Sequence, residues 1–190
     1  MKLGVLALQG AFIEHSNILK SLDVEPVEIR RRSHFSDNLD GLIFPGGEST
    51  AISKLLGEFE LLDPIKDAVF GGMPTFGTCA GLILLAGQVE GFGAGTIPVL
   101  DIVVRRNGYG RQLGSFSKTA HFEGIGDVPM VFIRAPYILE AHGSATITAK
   151  VDDRAIAVKQ GPVLATAFHP ELTENTSVHK FFIKMIESSE

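Results

Sequence analysis

The sequence predicts an α/β fold in which helices flank a parallel, doubly wound sheet. In the first half of the chain, short and continuous apolar runs alternate with segments of helical periodicity. The runs show little polar alternation, which is typical of parallel strands buried on both faces. From Val99 onward, short β-rich segments follow one another with turns between them. We therefore expect a parallel sheet with β-rich additions in the second half.

Four strands are predicted in the first half, with helices between them. The strands cover residues 2–8, 26–30 and 40–44, and a short fourth strand leads to Cys79. The helices cover residues 12–22, 51–62 and 64–70, and a buried apolar helix over 82–86 begins just after Cys79. Residues 87–95 are interpreted as a loop. With no strand expected before it, the glycine-rich run at 91–95 does not match a dinucleotide-binding fingerprint.

The second half is predicted to contain short strands and one long helix. The strands cover residues 99–104, 114–122, 128–134, 145–151, 155–159 and 163–167. A turn is predicted at Asp152-Asp153. The last helix covers residues 174–187, and its predicted buried stripe consists of Val178, Phe181, Phe182, Met185 and Ile186.

Length and composition indicate one globular domain over residues 1–190. Hydrophobic residues make up 45% and charged residues 21%, and the net charge is −5 without a long basic run. We therefore expect neither nucleic acid nor a membrane surface as the main partner. No apolar run reaches the ~18 residues of a membrane span, and the first apolar run is too short for a signal peptide. A single cysteine excludes an internal disulfide and fits a reducing cytoplasm.

That cysteine, Cys79, stands between Gly77 and Gly81 in the spacing of a nucleophile elbow. An elbow reverses a strand into a helix within about two residues, and glycines on either side remove Cβ atoms that would collide there. The alternative is a cysteine that serves only as a small buried hydrophobe. The spacing favours a nucleophile, which also requires a base and a group that orients the base.

Among six histidines, His169 is the best candidate for the base, because it directly follows an apolar strand. Glu171 stands two residues further on, across Pro170. If this strand end is extended, the side chains of His169 and Glu171 point the same way and can form a hydrogen bond. The alternative is an exposed turn after an edge strand. A metal site is disfavoured, because Cys79 and His169 lack the local ligand pairs of zinc sites.

The donors of an oxyanion hole are expected at Ala80, directly after the nucleophile, and at Gly47 in another strand-end loop. Gly46-Gly47 could instead serve only a tight turn, and the two interpretations are compatible. Gln9, Gly46-Gly47 and Cys79 each follow a predicted strand, so we expect them to line one cleft. His15 falls on the apolar side of the first helix and is interpreted as a hydrogen-bonded structural histidine.

Three motifs occur in an order that resembles the class I glutamine amidotransferases: 45–49 (PGGES), 77–81 (GTCAG) and 168–171 (FHPE). Further segments resemble the glutaminase subunits of pyridoxal 5′-phosphate synthase: 8–11 (LQGA) with Glu14-His15, 106–107 (RN), 109–112 (YGRQ), 132–136 (FIRAP) and 169–173 (HPELT). The similarity spans nearly the whole chain. It implies a three-layer, flavodoxin-like fold with a mostly parallel central sheet flanked by helices.

The resemblance also implies an activity, hydrolysis of L-glutamine through a γ-glutamyl thioester. Cys79 is then the nucleophile, His169 the base and Glu171 its orienting group, and Gly47 and Ala80 bind the oxyanion. The residues implied in substrate binding are Gly47, Glu48, Ser49, Arg106, Ile133 and Arg134. Arginine suits the α-carboxylate of glutamine because its fork binds both oxygens. Surface ion pairs are the alternative for Arg106 and Arg134, and whether Arg105 or Arg106 faces the substrate stays open.

By the same resemblance, the ammonia passes to a separate TIM-barrel synthase subunit in a large hetero-oligomer, and Gln9-Gly10 helps to sense docking. The chain itself binds no cofactor and no metal. We expect the activity to be classed both as a hydrolase and as a lyase. Two alternatives stay open. One is another cysteine hydrolase, such as a peptidase-like relative, or another amidotransferase of the same superfamily, and the other is a non-catalytic docking module.

Overall fold

The computed structural model describes residues 1–36, 38–93, 95–109 and 114–188. The strands within them, numbered in chain order, are β1 Lys2–Leu6, β2 Glu25–Ile29, β3 Gly41–Phe44, β4 Thr75–Thr78, β5 Ala86–Val89, β6 Leu100–Arg105, β7 Ser115–Phe122, β8 Gly126–Ile133, β9 Tyr137–Ala141, β10 Thr146–Val151, β11 Arg154–Gln160 and β12 Val163–Thr166. The helices are α1 Phe12–Ser21, α2 Ser49–Glu58, α3 Leu62–Phe70, α4 Ala80–Leu85 and α5 Ser177–Glu187. Short 3₁₀ turns cover Arg32–His34 and Pro170–Leu172.

Five parallel strands form the centre of the sheet, in the order β2-β1-β3-β4-β12. The sheet continues through antiparallel pairs to β11, β10, β7 and β8. Strand β9 pairs with β11 and with β6, and β6 pairs with β5. The predicted fold class, a mostly parallel central sheet flanked by helices with β-rich additions in the second half, is confirmed.

The alternation of side chains along β4 shows which helices cover each face of the sheet. Phe76 contacts the rings of His15 in α1 and of His179 and Phe182 in α5. A Cβ on the next residue, Gly77, would lie 2.8 Å from the backbone of Gly81 in α4. Because successive strand residues point to opposite faces, α1 and α5 cover one face and α4 covers the other. Thr78, two residues after Phe76, points toward α1 and α5.

The sequence did not predict two of the strands. Residues 86–89 form β5 and pair in parallel with β6, where the sequence predicted a loop, so a strand does precede the glycine-rich run. Gly87 permits this pairing, since a Cβ there would lie 2.7 Å from the Leu100 carbonyl oxygen. Strand β9 was not predicted at all; it directly follows Pro136, and only its Ile138 is buried.

Most other elements lie where the sequence placed them, with ends shifted by a few residues. Helix α2 begins two residues earlier than predicted, and α5 begins at Ser177. The expected stripe of α5 is confirmed: Val178, Phe182 and Ile186 are buried, and Phe181 and Met185 pack against the core. The Asp152-Asp153 turn is also confirmed, with positive φ at both residues.

Candidate active site

Cys79 occupies the sharp bend between β4 and α4. Its φ of 48° and ψ of −94° are rarely adopted by non-glycine residues. Its backbone N–H donates to the Thr166 carbonyl oxygen at 2.7 Å, which ties the bend to the end of β12. A Cβ on Gly81 would lie 2.3 Å from the Phe44 carbonyl oxygen, so only glycine fits after the cysteine. The bend leaves the Cys79 side chain 6% exposed.

His169 follows β12, the strand next to β4, and is paired with Glu171. The imidazole Nδ1 lies 2.6 Å from Glu171 Oε1, and both residues are buried. The expected extended geometry was wrong, because Pro170 begins a 3₁₀ turn instead. The 3₁₀ turn still brings the two side chains together, so the predicted pair forms although the predicted backbone geometry does not. Glu171 therefore stands behind His169, away from the cleft.

Cys79 and His169 line the same cleft, and the imidazole lies close enough to the thiol to interact with it. Burial lowers the pKa of His169, but hydrogen bonds to Cys79 and Glu171 and their negative charges outweigh it and raise the pKa to about 10. At neutral pH the imidazole is therefore protonated. A protonated imidazole beside the sulfur stabilises negative charge that develops there.

Cys79 and His169 open onto a cleft of about 560 Å³ at the carboxyl ends of the parallel strands. The sequence-predicted residues that line it are Gln9, Gly10, Gly46, Gly47, Glu48, Ser49, Arg106, Ile133 and Arg134. Ala80 lies beneath it as the first residue of α4, and Glu171 supports His169 from behind. Every residue singled out for the site thus lies in the cleft or directly against a residue that does.

The loop that carries Gly47 is held by hydrogen bonds on both sides. The Gly46 N–H donates to Thr78 Oγ1 at 2.9 Å, and the Gly46 carbonyl oxygen accepts from the Ala11 N–H at 3.0 Å. The Glu48 N–H donates to Gln9 Oε1 at 2.7 Å. A Cβ on Gly46 would lie 2.1 Å from His169 Cε1. The loop therefore lies directly on the imidazole, and Gln9 contributes to its conformation.

Geometry separates the two adjacent arginines. Arg105 points away from the cleft, donating to Glu90 Oε1 at 2.7 Å and to the Tyr137 hydroxyl at 2.9 Å. Arg106 lines the cleft, with its guanidinium 4.7 Å from the centre of the Phe92 ring. Of the two, Arg106 is the one available to a ligand.

Ile133 and Arg134 border the cleft on the far side of Cys79. The Ile133 carbonyl oxygen lies 3.9 Å from the Cys79 sulfur, and Arg134 has a φ of 44°. Within the described part of the chain, neither Arg106 nor Arg134 forms a salt bridge with a carboxylate. The surface ion pairs considered from the sequence are therefore not formed among these residues, and both guanidinium groups can bind an anion.

Three polar residues stand behind Glu171. His15 Nδ1 lies 2.9 Å from His179 Nε2, and His15 Nε2 lies 3.2 Å from Thr78 Oγ1. The interpretation of His15 as a hydrogen-bonded histidine is confirmed. Burial strongly lowers the pKa of His15 and lowers that of His179 to about 4, so both rings are neutral at pH 7.

Sequence reasoning missed Thr78 and His179. Thr78 adjoins the cysteine and points to the α1 and α5 face by the alternation of β4. His179 lies one residue after Val178 and three before Phe182, on the buried side of α5. The helical spacing could have indicated its burial, but no local signal indicated that its partner is His15, 164 residues away.

The described residues contain neither a cluster of metal-ligating side chains nor a helix that could span a membrane. Over 1–36, 38–93, 95–109 and 114–188, no group of three or more His, Cys, Asp or Glu side chains is arranged to hold a metal ion. Across the same ranges, every helix is too short or too polar to cross a bilayer. The Gly110-Arg111-Gln112 part of the segment noted in the sequence lies outside the described residues.

Comparison with solved structures identifies the class to which this fold and cleft correspond. A structure described as a crystal structure of glutamine amidotransferase superposes with a TM-score of 0.92 at 42% identity, covering 97% of this chain and 98% of that chain. A putative GMP synthase component from Thermoplasma acidophilum shares the fold at 18% identity, with a TM-score of 0.69 over 100% of this chain and 95% of its own. The architecture is that of the class I glutamine amidotransferases.

Sequence comparison gives the family. The model of the SNO glutamine amidotransferase family matches residues 5–188, and the chain belongs to that family. Proteins named "Pyridoxal 5'-phosphate synthase subunit PdxT" are similar over nearly their whole length. The one from Haemophilus influenzae (strain PittEE) is 52% identical over 96% of this chain and 97% of its own. The one from Methanocorpusculum labreanum is 50% identical over 98% of each chain. The lyase class expected from the sequence is wrong for a chain of this amidotransferase family.

Proposed function

We propose that this chain hydrolyses L-glutamine to L-glutamate and ammonia and supplies the ammonia for pyridoxal 5′-phosphate synthesis. The observation that carries the proposal is that Cys79 and His169 line one cleft, with the His169 ring held by Glu171 at 2.6 Å. This is the nucleophile, base and orienting group of a triad. The SNO family and the names of the relatives support glutamine as the substrate and pyridoxal 5′-phosphate synthase as the destination.

In this mechanism the Cys79 thiolate attacks the side-chain amide carbon of glutamine. The developing oxyanion accepts hydrogen bonds from the Gly47 and Ala80 N–H groups, each worth ~3–4 kcal/mol of transition-state stabilisation. His169 carries its proton before the attack, because its pKa of about 10 keeps it protonated at neutral pH. It donates that proton to the departing ammonia and leaves a γ-glutamyl thioester. His169 then deprotonates a water that attacks the thioester, which releases glutamate and restores the ion pair.

The cleft offers both kinds of group that an amino-acid substrate requires. Arg106 and Arg134 bring guanidinium groups for the α-carboxylate, whose two oxygens suit their forks. Glu48 provides a carboxylate for the α-ammonium group, and Ser49 and the backbone of Ile133 provide polar atoms along the wall. We therefore assign these five residues, together with Gly47, to substrate binding.

We further propose that residues 1–190 act as a single glutamine amidotransferase domain docked on a TIM-barrel synthase subunit in a large hetero-oligomer. The continuous strand path from β2 to β8 supports the single domain. The names of the relatives support the partner. The chain is proposed to use no cofactor of its own and to work in a reducing cytoplasm, where the Cys79 thiol stays unoxidised.

The test measures glutamate release by this chain in the presence of the synthase subunit. Cys79→Ala is expected to lower the rate to background, because no other thiol is present in the chain. Cys79→Ser is the matched control for side-chain size, and we expect it to be nearly inactive since a serine hydroxyl is a far weaker nucleophile. Equal rates for the native chain and Cys79→Ala would contradict the proposal.

Two further observations separate the alternatives. Labelling of Cys79 by an electrophilic glutamine analogue, without labelling by peptide-like electrophiles, distinguishes a glutaminase from a peptidase-like hydrolase. Undiminished pyridoxal 5′-phosphate formation from glutamine by a complex that contains Cys79→Ala would instead indicate a docking module.

A further inference from the structure

We infer that His15 and His179 are positioning residues that hold the carboxylate of Glu171 against His169. They form a buried line of side chains from α5 through α1 to the back of the proposed triad. The inference rests on the proposed function, because it assigns a role toward the triad. It adds to the site two buried residues that do not line the cleft.

The geometry of Glu171 requires a second group. Its Oε1 is bound to His169 at 2.6 Å, but its Oε2 is buried and accepts no hydrogen bond from the residues that the structure describes. His15 Nε2 lies 3.5 Å from Oε2, and both side chains are completely buried. A carboxylate oxygen in such a site is stable only beside a positive dipole or charge. The ring of His15 is in place to provide that dipole.

The contacts of His15 select one tautomer. With the proton on Nε2, that N–H donates to Thr78 Oγ1 at 3.2 Å, and its positive end stays near the carboxylate because Nε2 is 3.5 Å from Glu171 Oε2. Nδ1 then accepts a hydrogen bond from His179 Nε2 at 2.9 Å. With the proton on Nδ1, the Nε2 lone pair would face the carboxylate and repel it. His179 Nδ1 has no partner in the described part of the chain. The first arrangement leaves that atom as an unpaired acceptor, which is less costly than an unpaired buried N–H.

His179 therefore sets the tautomer of His15, and His15 sets the orientation of Glu171. The titratable groups that face His15 are His179 from α5, Glu171 from the 3₁₀ turn and, behind it, His169. Burial keeps His15 and His179 neutral, so neither adds a full positive charge that would compete with the His169 imidazolium for the carboxylate.

Thr78 connects the same line to the loop of Gly47. Its Oγ1 accepts the Gly46 N–H at 2.9 Å and lies 3.2 Å from His15 Nε2. The side chain that orients the carboxylate thus also touches the hydroxyl that fixes the oxyanion loop. His15 consequently lies against both Glu171 and Thr78, the residue that holds the loop of Gly46-Gly47.

The experiment is an NMR titration of the His169 ring in the full chain, combined with glutaminase kinetics in the presence of the synthase subunit. His15→Leu and His179→Phe are expected to lower the pKa of His169 by about one unit and to lower kcat about tenfold, with KM little changed. His15→Gln is expected to retain most activity, because its amide nitrogen can replace Nε2. Phe182→Leu is the packing control, since Phe182 contacts the same Phe76 ring without joining the line.

A native pKa of His169 in both His15→Leu and His179→Phe would overturn the inference. Equal losses of activity in His15→Leu and His15→Gln, with His169 titrating as in the native chain, would reduce the two histidines to packing. Should His15→Leu not fold, His179→Phe alone decides the outcome. A chain in which the titrations shift as expected but no glutamine is hydrolysed would contradict only the proposed function.

Discussion

Cys79 holds a strained backbone conformation because its neighbours leave no alternative. β4 is paired in parallel with β3 on one side and β12 on the other, so the strand cannot shift to relieve the bend. The bond from the Cys79 N–H to Thr166 fixes the end of the strand. Strain of this kind costs ~1–3 kcal/mol and persists only where the surroundings over-determine it. The sulfur is thereby held at the mouth of the cleft, opposite His169.

Gly46 offers a direct test of the packing between the Gly46-Gly47 loop, the proposed oxyanion loop, and the imidazole. In Gly46→Ala the new Cβ would lie 2.1 Å from His169 Cε1, so either the loop or the ring must move. We expect kcat to fall by at least about 100-fold, the effect of losing one oxyanion donor. The measurement is glutamate release with the synthase subunit present.

Gly57→Ala is the matched control for that substitution. Gly57 lies in α2, and a Cβ there meets no atom within 4 Å. We expect unchanged activity and a gain of about 0.5–1 kcal/mol in unfolding free energy, because alanine is the better helix former. An active Gly46→Ala enzyme would show that the loop and the imidazole are not in contact during the reaction.

The different positions of Arg105 and Arg106 lead to a second prediction about single residues. Arg106→Ala is expected to raise KM for glutamine by ten- to 100-fold, roughly the value of a charge-assisted hydrogen bond to a carboxylate. Arg105→Ala is expected to leave KM within about twofold of the native value, because its guanidinium binds Glu90 and Tyr137 instead. Steady-state kinetics on both variants decide the matter. The opposite order would assign the substrate to Arg105.

The residue two positions after Arg106 has its own packing requirement. A Cβ on Gly108 would lie 2.1 Å from the Tyr137 ring, which itself contacts Arg105. Glycine at this position therefore allows the Tyr137 ring to approach the backbone closely.

Among the elements, the parallel strands were the most predictable. β1, β3, β4 and β12 are almost continuously buried, and in β1, β3 and β12 this burial corresponds to a nearly continuous apolar run in the sequence. Their ends also predicted the cleft, since Gln9, Gly47, Cys79 and His169 all follow them. Strand β5 has no such apolar run in its sequence. Its two middle residues, Gly87 and Gln88, are only partly buried or exposed, and the strand is recognisable only through its partner β6.

The same contrast holds for the candidate site. Cys79, His169 and Glu171 carry local signals, a glycine spacing and a histidine two residues from a carboxylate. The contact of His15 with His179 depends on two helices packing on one face of the sheet, and nothing in either helix encodes it. Likewise, the 3₁₀ turn at Pro170 depends on the surroundings of the strand end.

Helix α5 is expected to contribute strongly to stability through Phe182. This ring is 1% exposed and contacts Phe76 in the middle of the sheet. Phe182→Ala is expected to lower the free energy of unfolding by about 3–5 kcal/mol, measured by urea denaturation. Phe59→Ala, at a residue that is 43% exposed after α2, is the control and should change it by about 1 kcal/mol or less. Similar losses in both variants would mean that α5 does not pack as described.

For the whole molecule, the buried histidines predict a loss of stability in acid. The unfolded chain binds a proton on His179 near pH 6.5, whereas burial lowers its pKa to about 4 in the folded chain. Stability from this residue is complete above pH 6.5 and is lost as the pH falls toward 4, by about 3 kcal/mol. His15 acts in the same direction.

The measurement compares urea unfolding of the native chain and His179→Phe at pH 7 and pH 4.5. The variant should lose less stability between the two values, since it has no ring to protonate. An identical loss in both proteins would mean that other groups account for the acid sensitivity.

The path of strands from β2 to β8 has a proline in each of its two outermost members, Pro26 and Pro129. Proline has no N–H to offer a further strand, and the charged side chains of Glu25 and Glu28 also lie along β2. The two prolines therefore disfavour edge-to-edge pairing of β2 and β8 with a neighbouring copy, which is the first step by which exposed strands grow into fibrils.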